Sequence, residues 1–199
     1  PVKRIIADTY QSVSGTGGGA MGELRKQSQA ILETGKAPLP EVYPYQIAFN
    51  VLPQVEHFLQ DRYTNEERKM VEETRKILHA PELMVSATCV RVPVYVSHSI
   101  AVHVEFEHVM SPVEARELMS SFSGLTVLDN PESSEYPLPW DVEGKDDVFV
   151  GRVRSDVSNP NGLAMWLVSD NLRKGAALNA IQIAEEIIGR GLLRGKNTV

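Results

Sequence analysis

Four polar side chains stand where their types and spacing suit ligand binding or proton transfer. Glu66 and Lys69 lie three residues apart, which puts both on one side of a helix's opening turns. A carboxylate there suits an ammonium group and the lysine an anion, although the same spacing fits a solvated surface pair. Arg91 and His98 are seven residues apart. In an uninterrupted strand that odd separation sends them to opposite faces, but Pro93 and a bend toward Ser97 can bring them together. Arginine offers a planar, permanently charged fork, and histidine titrates near neutrality. Gly15-Thr16-Gly17-Gly18-Gly19-Ala20 formally fits the dinucleotide pattern G-x-G-x-x-A, but no second βαβ unit follows it. It reads as a glycine turn whose backbone N–H groups can still approach a phosphate or cofactor. Cys89, among β-branched and apolar neighbours, reads as a small buried hydrophobe rather than a nucleophile. His57, His79, His103 and His108 form no H-x-x-x-H pair, so no metal site is expected.

The elements that must carry these residues follow from periodicity and punctuation. Val2–Val13 reads as a strand, and Met21–Glu33 as a helix ended by Thr34-Gly35. Pro38, Pro40, Pro44 and Pro53 then keep the chain out of long regular structure. Thr64-Asn65-Glu66-Glu67 is a capping box that opens a helix with Met70, Thr74, Ile77 and Leu78 along one face. Leu83–Val96 is rich in β-branched residues. Ser99–Val109 alternates, with Ile100, Val102, Val104 and Phe106 inward and His103, Glu105 and Glu107 outward. Ser111-Pro112-Val113-Glu114 reads as a second capping box, for a helix ending near Gly124. Strands are expected at Leu125–Leu128, Val148–Ser155 and Leu163–Val168, with a proline-rich loop from Asn130 to Pro139 and a closing helix over Asp170–Ile188. Helices and strands mix without regular βα alternation, so the expected class is α+β, with helices packed on a mixed, largely antiparallel sheet.

Composition narrows the function classes. The chain has 199 residues and a formal net charge of −6, with no clustered basic run, which argues against a nucleic-acid partner. One cysteine excludes an internal disulfide framework and suits a reducing compartment, so a cytoplasmic location is expected. Neither a membrane span nor a secretion signal is visible.

Four segments, TYQSVSGTGGGAMGEL, TNEERKMVEETRKIL, ATCVRVPVYVSHS and DNLRKGAALNAIQIAEEI, occur in this order, and together they resemble bacterial aspartate-β-semialdehyde dehydrogenase over nearly the whole chain. The resemblance implies only the C-terminal catalytic and dimerisation domain, similar to that of glyceraldehyde-3-phosphate dehydrogenase. The cofactor domain and the nucleophilic cysteine would lie upstream, which agrees with a chain that opens on Pro1. Residues 1–169 would form the catalytic and dimerisation domain, and 170–199 a helix and tail packed on the missing domain, since Leu172, Ala176, Ala177, Ile181, Ile183, Ile187 and Ile188 give it more apolar surface than a free helix needs. By the same resemblance His98 is the catalytic acid/base. Gln11, Glu66 and Arg91 bind substrate, the last two gripping its amino and carboxylate groups, and Lys69 holds phosphate. Ser14, Gly15 and Asn179 contact the NADP cofactor. The implied reaction is NADPH-dependent reduction of L-aspartyl-4-phosphate to L-aspartate 4-semialdehyde and phosphate by a homodimer, in biosynthesis of lysine, threonine, methionine and isoleucine. The fragment alone would be inactive. A related acyl-phosphate or acyl-CoA reductase domain, or a non-catalytic dimerisation and ligand-binding module, stays open as an alternative.

Overall fold

The computed structural model describes residues 1–192. Six strands are present among them: β1 (Val2–Gln11), β2 (Met84–Arg91), β3 (His98–Phe106), β4 (Leu125–Val127), β5 (Val148–Ser155) and β6 (Gly162–Ser169). They form one sheet in the order β2-β1-β3-β6-β5-β4. The β1–β2 and β4–β5 pairs are parallel, and the β1–β3, β3–β6 and β5–β6 pairs antiparallel. The α+β reading therefore holds, with the mixed and mainly antiparallel sheet it called for.

A parallel pair cannot be closed by a tight turn. Between β1 and β2 the chain runs through α1 (Gly18–Thr34), a long loop and α2 (Asn65–Ile77), and this crossover supplies one wall of the cleft described below. The capping box of α2 forms in both directions. Thr64 Oγ1 accepts from Glu67 N at 3.3 Å, and Glu67 Oε2 accepts from Thr64 N at 2.7 Å. The start of α3 (Pro112–Ser120) keeps only half of the expected box, the Ser111 hydroxyl accepting from Glu114 N at 3.1 Å. Gly35, at φ 76°, ends α1 and returns its N–H to Ile31 O at 2.8 Å, which is the left-handed stop that glycine permits.

Several boundaries differ from the sequence reading. α1 begins at Gly18, three residues earlier than expected, because Ala20 already docks in the core. β2 stops at Arg91, since the chain turns at Pro93. The closing helix is interrupted: Arg173–Ala177 winds as a π-helix, and α5 runs over Leu178–Gly189. The proline-rich loop contains a 3-10 turn at Pro131–Ser133 and leads into a short helix, α4 (Pro139–Val142). Of the expected tail, residues 193–199 lie outside the described residues.

The apolar core is split in two. Val13, Ala20, Leu24, Ile47, Ala48 and Leu52 pack α1 against the crossover loop, while Ala115, Val150, Val153 and Leu163 pack α3 on β5 and β6. The inward residues of β3 are half-buried rather than buried, because the central strand lies between these two clusters. The register places Arg4, Ile6, Asp8, Tyr10, His103 and Glu105 on the opposite face of the sheet, where Tyr10 meets Trp166 with ring centroids 5.3 Å apart. No helix among the described residues is long and apolar enough to cross a membrane.

Candidate active site

Strand pairing carries Gln11 and Arg91 to one place. They are directly opposite in the parallel β1–β2 register and end their strands together. Both are buried, so their polar groups need partners. Gln11 Nε2 donates to Glu66 Oε1 at 3.2 Å, and Arg91 Nη1 donates to Ser12 O at 2.7 Å. Arg91 Nε has no partner among the described residues. Burial depresses the pKa of the guanidinium, with Tyr43 and Glu66 among the groups acting in the opposite direction. The side chain is thus a fixed cation with an unused donor.

Beyond Arg91 the turn does what Pro93 suggests. Val92 N donates to Gln11 O at 3.0 Å, Val13 N to Val94 O at 2.8 Å and Ser14 N to Tyr95 O at 3.0 Å, so the turns after β1 and β2 run as a bonded pair. Ser97, at φ 74°, takes the left-handed conformation that costs a non-glycine residue. It is held there by Asn171 Oδ1, which accepts from Ser97 N at 3.0 Å. His98 follows immediately and is thereby folded back toward Arg91. Its Nδ1 accepts from Ser12 N at 3.1 Å, with Ser12 Oγ at 3.0 Å. A Cβ on Gly15 would stand 3.0 Å from Arg91 Nη1 and 3.2 Å from His98 Nε2. A side chain there would press on both, and glycine avoids the contact.

Glu66 and Lys69 arrive on α2, whose position is set by Glu67. One carboxylate oxygen of Glu67 serves the capping box, and the other accepts from Cys89 N at 3.0 Å. β2 is the edge strand, so this bond satisfies an edge N–H and ties the helix start to the strand that ends in Arg91. Lys69 Nζ lies 2.7 Å from Glu56 Oε1 and 3.5 Å from Glu66 Oε2. Hydrogen bonding to Lys69 lowers the pKa of Glu56, and hydrogen bonding to Glu56 raises that of Lys69.

The remaining wall is loop, held by polar side chains of α1. Glu23 Oε2 accepts from Glu41 N at 2.6 Å and from Val42 N at 2.5 Å, and Gln27 Oε1 accepts from Ile47 N at 2.9 Å and Ala48 N at 3.1 Å. These bonds present Val42, Tyr43 and Pro44 to a cleft of about 450 Å³ that is also lined by Gln11, Gly15, Glu66, Arg91 and His98. Tyr43 donates its hydroxyl to Thr16 Oγ1 at 3.0 Å, and burial raises its pKa. Burial, followed by the positive charge of Arg91, pushes His98 down to about 4. At neutral pH the cleft therefore holds a neutral imidazole beside the Arg91 guanidinium.

Of the residues expected to act, Gln11, Gly15, Glu66, Arg91 and His98 line this one cleft. Lys69 joins its edge through Glu56 and Glu66. Ser14 is buried behind the lining, bonded to Ser12 and Asn171. Asn179 is exposed on α5 and lines no part of the cleft. Cys89 is fully buried, 3.6 Å from Met70 Sδ, and burial raises its thiol to about 11, which agrees with an unreactive hydrophobe. The sequence reading passed over Ser12, Asn171, Glu23 and Gln27. Gln27 carried a signal, because it falls seven residues after Ala20 and three after Leu24 on the stripe that α1 buries. Ser12 and Asn171 carried none, being 159 residues apart.

Fold and cleft together define a sheet domain that brings Glu66, Arg91 and His98 to one cleft. Residues 1–174 match the family model of the semialdehyde dehydrogenase dimerisation domain, and the chain belongs to that family. It is similar to aspartate-semialdehyde dehydrogenase of Aquifex aeolicus, with 50% identity over 192 residues that cover 96% of this chain and 56% of the relative. Among solved structures, aspartate semialdehyde dehydrogenase II of Vibrio cholerae complexed with ASA superposes with a TM-score of 0.89 at 42% identity, over 94% of this chain and 55% of the other. The Candida albicans aspartate semialdehyde dehydrogenase with NADP shares the fold, with a TM-score of 0.69 at 23% identity over 97% and 52% of the two chains. The chain spans about half the length of these relatives.

Proposed function

We propose that the chain is the substrate-binding and dimerisation half of an NADP-dependent aspartate-semialdehyde dehydrogenase, which converts L-aspartyl-4-phosphate to L-aspartate 4-semialdehyde and phosphate for the synthesis of aspartate-derived amino acids. The observation that carries this reading is the meeting of Glu66, Arg91 and His98 in one cleft. An α-amino acid is a zwitterion. Arg91, with Nε unpartnered, receives its carboxylate in the fork geometry that arginine favours, and Glu66, oriented by Gln11, holds its ammonium. Lys69 leaves Glu56 to take the phosphate. His98 Nε2 faces the space where the reacting carbon's oxygen must lie, and there it holds or moves a proton.

Covalent catalysis in this scheme needs a thiolate that Cys89 does not provide, so that group belongs to the other half of the enzyme and the half alone turns nothing over. NADPH, when bound, supplies the hydride. Of the residues expected to meet it, Gly15 fits, in an exposed glycine turn at the start of α1 where a side chain would intrude on Arg91 and His98; Ser14, buried and bonded to Ser12 and Asn171, would support that turn from behind. Asn179, on exposed α5, would reach the cofactor only across the junction with the missing domain. That domain also covers α5, whose Ile181, Ile183 and Ile188 are more than half exposed among the described residues. A second copy covers the open sheet face that carries Ile6, Tyr10 and His103, giving a homodimer, and the enzyme works in the cytoplasm.

Substitution of His98 by Asn in the enzyme that contains both halves tests the reading. A positioned acid/base contributes about 10²–10⁴ in kcat, so kcat falls by that factor with KM little changed. A folded variant of near-normal kcat overturns the assignment.

A further inference from the structure

Two groups of a single residue meet His98 Nδ1. The Ser12 backbone N–H donates to it at 3.1 Å, and the Ser12 hydroxyl oxygen lies 3.0 Å away. The peptide plane fixes the direction of a backbone N–H, and that group cannot turn into an acceptor. In the neutral ring Nδ1 is therefore the bare nitrogen, and the one ring proton sits on Nε2, the atom that approaches Gly15 at the cleft. The hydroxyl has a second place to point. Ser12 Oγ is 3.2 Å from Asn171 Oδ1, an acceptor already held in position by Ser97 N. A hydroxyl both donates and accepts, so it can give its proton to Nδ1 in one state and, in another, accept from Nδ1–H while donating to Asn171.

We propose that Ser12 is a positioning residue for His98: its backbone N–H holds the resting ring as the Nε2–H tautomer, and its hydroxyl, turning between Nδ1 and Asn171 Oδ1, lets Nδ1 carry a proton when the ring must. The resting ring then offers the cleft a hydrogen-bond donor. A bare Nε2, needed to accept a proton, requires the less favoured neutral ring in which Nδ1–H, set against the Ser12 N–H, is received by the Ser12 hydroxyl. The charged and titratable groups around the ring act alongside this contact. Burial and Arg91 on β2 oppose a second ring proton, a backbone hydrogen bond to Ser97 and then Asp170 just beyond β6 favour one, and Glu66 and Tyr43 lie across the same cleft.

The consequence for proton transfer rests on the function proposed above, but the test does not. In the ¹⁵N-labelled chain of residues 1–199, long-range ¹H–¹⁵N spectra at pH 7 read the protonation of each ring nitrogen without any turnover. The expected result is a His98 ring with Nδ1 bare and Nε2 protonated. Ser12→Ala keeps the backbone donor and removes the hydroxyl, so the tautomer stays and the His98 pKa drops by about one or more. Asn171→Asp keeps the acceptor and adds charge, so the pKa rises by about one or more. A wild-type neutral ring protonated on Nδ1 overturns the proposal even if no variant folds. So does an unchanged His98 pKa in a folded Ser12→Ala chain.

Discussion

Acidification should destabilise this chain through His98, and by an amount that can be worked out beforehand. Burial and the neighbouring Arg91 hold His98 near 4, against an ordinary histidine value of 6.5. Because the folded pKa is depressed, the unfolded chain binds more protons throughout the window between those values, and stability falls as the pH falls. Each pH unit of difference corresponds to about 1.4 kcal/mol. Integrated over the window, the loss relative to neutral pH is about 2 kcal/mol at pH 5 and about 3 kcal/mol at pH 4, and it levels off below that. Carboxylates also contribute at low pH. Asp156, which hydrogen bonds from Ser158 and His103 hold near 2, loses its stabilisation only below about pH 4. Comparison with His98→Gln separates the two sources, since glutamine keeps hydrogen-bonding capacity and does not titrate. Urea unfolding from pH 7 to pH 4 should show the wild type losing about 3 kcal/mol more than the variant. Parallel stability profiles would refute the reasoning, because they would mean that the ring is no harder to protonate folded than unfolded.

Three further outcomes follow from the same geometry. Gly15→Ala places a methyl group between Arg91 and His98, both already fixed by Ser12, so it should cost about 1–3 kcal/mol in urea unfolding and perturb the ring resonances of His98; an unchanged stability and spectrum would show that the two side chains move freely. Arg91→Lys, in the enzyme with both halves, should raise KM for the amino-acid substrate at least about tenfold, since lysine keeps the charge but loses the fork and the Ser12 bond; wild-type kinetics would remove Arg91 from the substrate site. Cys89, with its thiol near 11, holds only about a thousandth of its population as thiolate at pH 8, so a disulfide reagent should label it at least ~100-fold more slowly in the folded chain than in urea, and equal rates would contradict its burial.

The sequence by itself determined what is local. Thr64 and Glu67 announce α2 because a capping box is made within four residues, Gly35 announces the end of α1 because only a left-handed residue closes that turn, and the alternation of β3 announces a two-faced strand. The types of Arg91, Glu66 and His98 were equally legible, as was the burial of Cys89. Spacing could not decide whether Arg91 and His98 meet, or whether Glu66 and Lys69 are anything beyond a surface pair. Those answers depend on the parallel register of β1 with β2, which sets Gln11 opposite Arg91, and on the Glu67 bond that anchors α2 to the sheet edge. Tertiary structure alone decided the surroundings of His98: Ser12 comes from the end of β1, Ser97 from a strained turn and Asn171 from beyond β6, and their hydrogen bonds join segments up to 159 residues apart. Side-chain polarity along the chain encodes which residues can bond. Which ones do is fixed only when the sheet order brings three separate turns to the same end of the strands, where a buried imidazole needs a partner and the nearest backbone N–H supplies it.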